Sequence, residues 1–178
     1  AICGSAEATL TPQLPARDPG GLRIGIAWAG TPLFADDWTR SIPLATLLPA
    51  LTQNGVQVFV LQHVEARQEL ESIAPDIRAD FVDVTEACHD MADTACVLAQ
   101  CDVVLTVDTA VAHVAGALGI PVWIMVAQPA EWRWGRDRNH ADAYPTARLF
   151  RQQRPGVWDD VVRDVQANLA ALVAATTS

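Results

Sequence analysis

The sequence contains no lysine. All twelve of its basic residues are arginines, set against twenty-one acids, which leaves a formal charge of −9. So acidic a chain is poorly suited to broad binding of nucleic acid or anionic membrane, because both are polyanions that reward positive surfaces. Several motifs are also missing. There is no GxGxxG run, so the NAD-type fingerprint is unsupported. There is no HExxH, HxxxH or cysteine–histidine cluster, so no metal site is expected. No GxSxG elbow marks an esterase-type nucleophile. No apolar run approaches the roughly 20 residues of a membrane span, and residues 1–20 lack the basic-then-apolar order of a signal peptide. The four cysteines (Cys3, Cys88, Cys96 and Cys101) form no CxxC pair, and the apolar surroundings of Cys96 and Cys101 make them read as small hydrophobes. These features together lead to the expectation of a soluble, cytoplasmic protein whose partner is a small molecule.

What is present is enough for one domain. A chain of 178 residues that is 51% hydrophobic can bury a single sizeable core. Residues 1–20, rich in Ala, Pro, Gly and Thr without a clear period, read as a linker or the tail of a preceding region, and residues 21–178 as the ordered domain. Short apolar runs fit for buried strands occur at Leu22–Trp28, Val56–Leu61, Asp80–Val84, Asp102–Val107, Val122–Val126 and Arg148–Phe150. Between them lie helical stretches at Leu44–Leu51, Glu65–Ile73, Asp90–Ala99 and Thr109–Leu118, and a last one runs from Val157 to about Val173. Such alternation predicts an α/β fold, a Rossmann-like three-layer α/β/α arrangement with a roughly six-stranded parallel sheet. Right-handed crossovers then bring the loops leaving the strands to one edge, where open sheets of this kind bind ligands.

The most informative stretch is Asp102-Val-Val-Leu-Thr-Val107 followed by Asp108-Thr-Ala-Val-Ala-His113-Val-Ala-Gly-Ala-Leu-Gly119 and Ile120-Pro121. Asp108 or Thr109 is suited to cap the helix, Gly119 stands where a left-handed residue is wanted, and Pro121 stops continuation. Val111, Val114, Ala115 and Leu118 recur as a buried stripe, whereas Thr109, His113 and Gly116 share another face. A helix start at the end of a parallel strand offers amide donors and partial positive charge, which suits a diphosphate. The small side chain of Ala110 admits close approach, and His113 is placed to donate to a phosphate or sugar oxygen; the plainer reading of a lone histidine is a satisfied structural residue. Asp108 would repel phosphate, so it reads as a cap or as an acceptor from hydroxyls.

Two further loops face the same expected edge. After the first strand come Gly30 and Thr31, then Arg40 and Ser41, which would bring a tight turn, hydroxyls and a fixed cation; the competing reading of Arg40 is an ion pair with Asp36 or Asp37. After Val126 comes Glu131-Trp132-Arg-Trp134-Gly135, whose tryptophans either cover a base or sugar face or simply pin the loop. Six arginines and only two acids, Asp137 and Asp142, fall between residues 133 and 154, either a salt-bridged surface or a local anion site.

Taken together, Ile24-Gly-Ile-Ala-Trp-Ala-Gly30, Arg40-Ser-Ile-Pro-Leu44, Leu61-Gln62, Asp102 through His113, Trp132-Arg-Trp134 and Arg148-Leu-Phe-Arg-Gln152 resemble the carboxyl-terminal half of GT-B glycosyltransferases. The resemblance is to the heptosyltransferase-like domain found after tetratricopeptide repeats in bacterial proteins. It implies a domain that binds a nucleotide-sugar donor as substrate, with no cofactor or metal, in an inverting transferase. It also implies an amino-terminal acceptor half and tetratricopeptide repeats as partners, without which this chain alone is not expected to turn over. By resemblance, Gly30, Thr31, Arg40 and Ser41 would contact phosphates, while Asp108, Thr109, Ala110 and His113 complete the donor site, with Gln62 and Trp132 beside them. Ala110 stands where heptosyltransferases usually carry glycine, and Arg40 replaces a lysine in the first loop. Two other classes stay open: a noncatalytic nucleotide or nucleotide-sugar sensing module, and an interaction domain with a relic pocket.

Overall fold

The computed structural model describes residues 14–18, 20–31, 33, 37–63, 65–135 and 138–176. Its seven strands are β1 (Leu22–Ala27), β2 (Val56–Val60), β3 (Phe81–Asp83), β4 (Val103–Val107), β5 (Val122–Val126), β6 (His140–Ala141) and β7 (Tyr144–Arg151). They form one sheet in the order β3-β2-β1-β4-β5-β7-β6. Every pairing is parallel except that of β6 with β7. All six expected strands are therefore present, and the sheet gains a seventh. The two residues of β6 pair antiparallel across a turn from Tyr144, too short a strand to show a period in the sequence.

The central strands have no solvent face. β1, β4 and β5 are buried at every residue, as expected of strands covered on both sides, and this is why their sequences run apolar without alternation. One layer of helices consists of α2 (Leu44–Leu51) and the long α6 (Asp159–Thr176), whose Leu47, Leu51, Val165 and Leu169 meet Ile24, Ile26, Val103 and Leu105. The opposite layer holds α4 (Met91–Leu98) and α5 (Ala110–Ala117), which pack Val97, Leu98, Ala112 and Ala115 on Phe59, Val104, Val122 and Ile124. Two one-turn helices, α1 (Asp37–Arg40) and α3 (Pro75–Arg78), lie in connections. The expected helix at residues 65–73 is a 3-10 helix over Glu65–Ser72.

Three local readings change. The buried stripe of α5 is Val111, Ala112, Ala115 and Gly116, one step round from the expected set, so that Val114 is only partly buried and Leu118 is exposed. The small residues Ala112, Ala115 and Gly116 face inward because they let the helix lie close to β4, β5 and β7. Residues 14–18, left with the linker by sequence, lie against the domain. Leu14 is buried, its amide donates to Gln100 Oε1 at 3.1 Å, and Arg17 donates twice to Asp102. Cys88 and Cys101 are free and buried, but Cys96 is disulfide-bonded. Among the described residues no helix is long and apolar enough to cross a membrane.

Candidate functional site

The sheet order reverses between β1 and β4, whose next strands lie on opposite sides, and open α/β sheets bind ligands in the crevice this leaves at their carboxyl ends. A cleft of about 520 Å³ opens there. Gly30 and Thr31 reach it from the end of β1, Arg40 from α1, Gln62 from the end of β2, and Asp108, Thr109, Ala110 and His113 from the corner between β4 and α5. The structure thus gathers eight of the ten expected residues around one space. Ser41 stands behind the lining and Trp132 lines the neighbouring cleft.

The β4–α5 corner is built by its hydroxyls. Thr109 occupies the cap position in extended conformation, yet its Oγ1 meets Thr106 Oγ1 at 2.9 Å instead of capping an amide of α5. The first turn of the helix, where α-helices leave amide donors without intrahelical partners, lines the cleft. Gly119 closes the helix with φ of 71°, the left-handed conformation anticipated for it. The Asp108 side chain is only 8% exposed. Its Oδ1 lies 3.8 Å from His113 Nε2 and its Oδ2 lies 3.6 Å from the Arg133 guanidinium. Oδ2 is buried and accepts no hydrogen bond from the protein, so the Arg133 guanidinium acts on it by charge at a distance.

The β1 loop is more tightly bound. Gln62, fully buried, accepts from the amides of Trp28 and Ala29 at 2.8 and 2.9 Å and donates to the carbonyls of Ala29 and His63. Its amide is consumed in fixing the backbone that leads to Gly30. Arg40 donates from Nε to Asp37 Oδ1 at 2.7 Å, while Ser41 donates to Asp37 Oδ2 at 2.6 Å and accepts from the Gly30 amide at 3.1 Å. The ion pair weighed for Arg40 therefore forms with Asp37; Asp36 lies outside the described residues. A Cβ at Gly30 would overlap the Asp37 carboxylate and the Arg40 guanidinium, so the pair can lie across the loop only because residue 30 has no side chain.

The sequence pattern of glycosyltransferase family 9 (heptosyltransferase) matches residues 43–153, well over half of the chain. The chain belongs to glycosyltransferase family 9. Protein FlbA of Caulobacter vibrioides is 26% identical over 159 residues, which cover 88% of this chain and 26% of FlbA. The solved structure of E. coli ADP-heptose lps heptosyltransferase II shares the fold, with a TM-score of 0.63 at 19% identity over 90% of this chain and 49% of that one. The family 9 chain described here thus spans about a quarter of FlbA and about half of the solved heptosyltransferase.

Within this family 9 domain the structure adds residues that the sequence did not single out. Arg133 lines the main cleft, the cleft of about 450 Å³ beside Arg40, and the aromatic cleft of about 480 Å³ beyond His113. Its signals in the sequence were its membership of the arginine-rich stretch from 133 to 154 and its place between two tryptophans, which the fold uses in opposite ways. Trp134 is 2% exposed and stacks on His113 at 5.3 Å, whereas Trp132 is 84% exposed. Trp134 pins the loop, and Trp132 walls the aromatic cleft. Met91 and Thr94 reach the main cleft from the start of α4, a neighbourhood created only by the packing of α4 beside α5. Among the described residues no group of three His, Cys, Asp or Glu side chains is placed to share a metal ion.

Proposed function

We propose that this family 9 domain is the donor-binding half of an inverting glycosyltransferase, seating the diphosphate of a nucleotide sugar on the first turn of α5. The observation that carries the reading is the convergence, in an acidic chain, of two guanidiniums, an imidazole and a helix start on the crevice between β1 and β4. Arg40 and Arg133 supply fixed positive charge, the α5 amides supply oriented donors, and His113 adds a ring nitrogen. When the bond between the anomeric carbon and the diphosphate oxygen breaks, negative charge grows on that oxygen, and this is where preorganised donors and cations lower a barrier. The acceptor hydroxyl, the base that removes its proton and the attack from the opposite face belong to a second α/β half, and tetratricopeptide repeats are the further partner we infer. Two guanidiniums, Arg40 and Arg133, against the single lining carboxylate of Asp108 support binding of the diphosphate without a divalent ion.

Calorimetric titration of the chain with UDP, GDP, ADP, CMP and their sugar conjugates tests the proposal. Micromolar binding of one nucleotide, unchanged by EDTA, is expected. Silence across the panel at millimolar concentration would defeat it, and an EDTA-induced loss restored by magnesium or manganese would defeat its metal-independent form. Tight binding with no turnover in a longer protein that includes the preceding region would leave a nucleotide-sugar sensing module instead.

A further inference from the structure

Gly116 shares a helix face with Thr109 and His113, and the structure shows what its missing side chain permits. A Cβ there would overlap the Tyr144 ring, so glycine lets the tyrosine at the start of β7 lie directly against α5. From that seat the Tyr144 hydroxyl reaches His113 Nδ1 at 2.9 Å, with the two rings edge to face. Trp134 stacks on the imidazole with an interplanar angle of 19°. One nitrogen of His113 is therefore bonded and the ring is stacked, while Nε2 is left 3.8 Å from Asp108 Oδ1 on the side of the cleft.

We propose that Tyr144, seated by Gly116, is the positioning residue for His113: its hydroxyl donates to Nδ1 and so keeps the proton of the neutral imidazole on Nε2. A carboxylate oxygen only accepts, so a lone pair on Nε2 would be repelled by Asp108, whereas an Nε2–H group is attracted to it. At 3.8 Å Asp108 gives only a weak preference for Nε2–H, and the Tyr144 hydroxyl, donating to the bare Nδ1 at 2.9 Å, adds the bond that makes this tautomer the populated one. Among the described residues the charged and titratable groups lining the two clefts beside the ring are Asp108, Arg133, Tyr144, Arg40 and His63 and, across the aromatic cleft, Arg138, His140 and Asp142. Of these, Asp108 is the one within ion-pair distance of Nε2 among the described residues. His113 thereby meets the cleft as a fixed N–H donor, aimed at an oxygen of whatever lies on the first turn of α5. The binding consequence rests on the donor-site reading above, but the tautomer does not.

Nitrogen-15 NMR of the imidazoles in the full chain tests this, with the His113 signals identified by their loss in His113→Asn. The wild-type chain should show a proton on Nε2 and none on Nδ1. Tyr144→Phe keeps the ring against Gly116 and removes only the hydroxyl, so the Nδ1–H tautomer should become populated. Affinity for the nucleoside diphosphate that binds best should fall about three- to tenfold, as expected for one neutral hydrogen bond. Gly116→Ala, which displaces the ring, should change the tautomer in the same direction. A wild-type His113 protonated on Nδ1 alone, or a Tyr144→Phe spectrum identical to wild type, would overturn the proposal. A shifted tautomer with unchanged nucleotide affinity would overturn its link to binding. The expected spectra from a chain that binds no nucleotide would uphold the positioning role and count against the donor site.

Discussion

Asp102 and Asp108 stand at the two ends of the same strand, one residue before β4 and one after it, and the fold treats them in opposite ways. Asp102 accepts from both terminal nitrogens of Arg17, at 2.6 and 3.1 Å, and from the Arg23 amide at 2.8 Å. Burial pushes its pKa up, but these bonds outweigh burial and hold the carboxyl below its ordinary value. Asp108 is more deeply buried, yet one of its oxygens accepts no hydrogen bond, and the Arg133 guanidinium and the His113 imidazole stay 3.6 and 3.8 Å away. At the amino end of the sheet a carboxylate closes a structural strap over residues 14–18. At the carboxyl end a carboxylate is left with unspent capacity beside a cleft. A buried carboxylate oxygen without a hydrogen bond is costly, whereas each charge-assisted bond at Asp102 offsets part of the cost of burial.

The comparison sharpens most if the groups around Asp108 are removed. His113→Ala and Arg40→Ala should each weaken nucleotide binding by roughly 1 to 3 kcal/mol, the range for lost charged hydrogen bonds. Titration curves unchanged in both variants would remove these residues from the site. At the opposite end, Asp102→Asn should lower the free energy of unfolding by about 1 to 2 kcal/mol, since its bonds are charge-assisted but partly open to solvent. The same exchange at Asp108, whose Oδ2 accepts no hydrogen bond to lose, should cost less than that at Asp102. Denaturant unfolding of the two variants side by side checks this, and equal losses would erase the distinction between the two aspartates.

Acid unfolding probes a smaller effect. Asp83 resembles Asp102 in that burial raises its pKa while bonds from Arg67 and Thr85 more than offset the rise, so both carboxyls titrate below their unfolded values. A group with a depressed folded pKa contributes stability above its unfolded pKa, and that contribution is lost as pH falls through the folded value. Stability should therefore decline below about pH 4, and the decline should be shallower in Asp102→Asn. An unchanged acid limb in that variant would show that Asp102 does not drive it. The smallest effect concerns the free thiols. Burial pushes Cys101 up to about 12 and Cys88 upward as well, so at pH 8 neither should react with a thiol reagent until the chain is unfolded in urea.

Much of this molecule was legible in its sequence because burial on both faces writes strands as short apolar runs and crossover helices as longer amphipathic ones. The six parallel strands, the helix from 44 to 51, the left-handed Gly119 and the corner at Asp108 and Thr109 all follow from such local rules. Membership of the family was likewise carried by motifs spread along the chain. The exact face of α5 was not legible, because alanine and glycine at positions 112, 115 and 116 carry little hydrophobic signal and their inward placement depends on how closely the helix meets the sheet.

What only the tertiary structure decided is partnership. The sequence by itself determined that Gly30, Arg40, Asp108 and His113 would reach one sheet edge, since parallel strands all end there. That Arg40 is held by Asp37, that Gln62 spends its amide on the β1 backbone, that Arg133 shadows Asp108, and that Gly116 opens the seat for Tyr144 were settled by contacts between residues far apart in the chain. The physical reason is range. Strand and helix choice is governed by neighbours within a few residues, whereas the donors and acceptors of a site come from loops that meet only once the sheet has assembled.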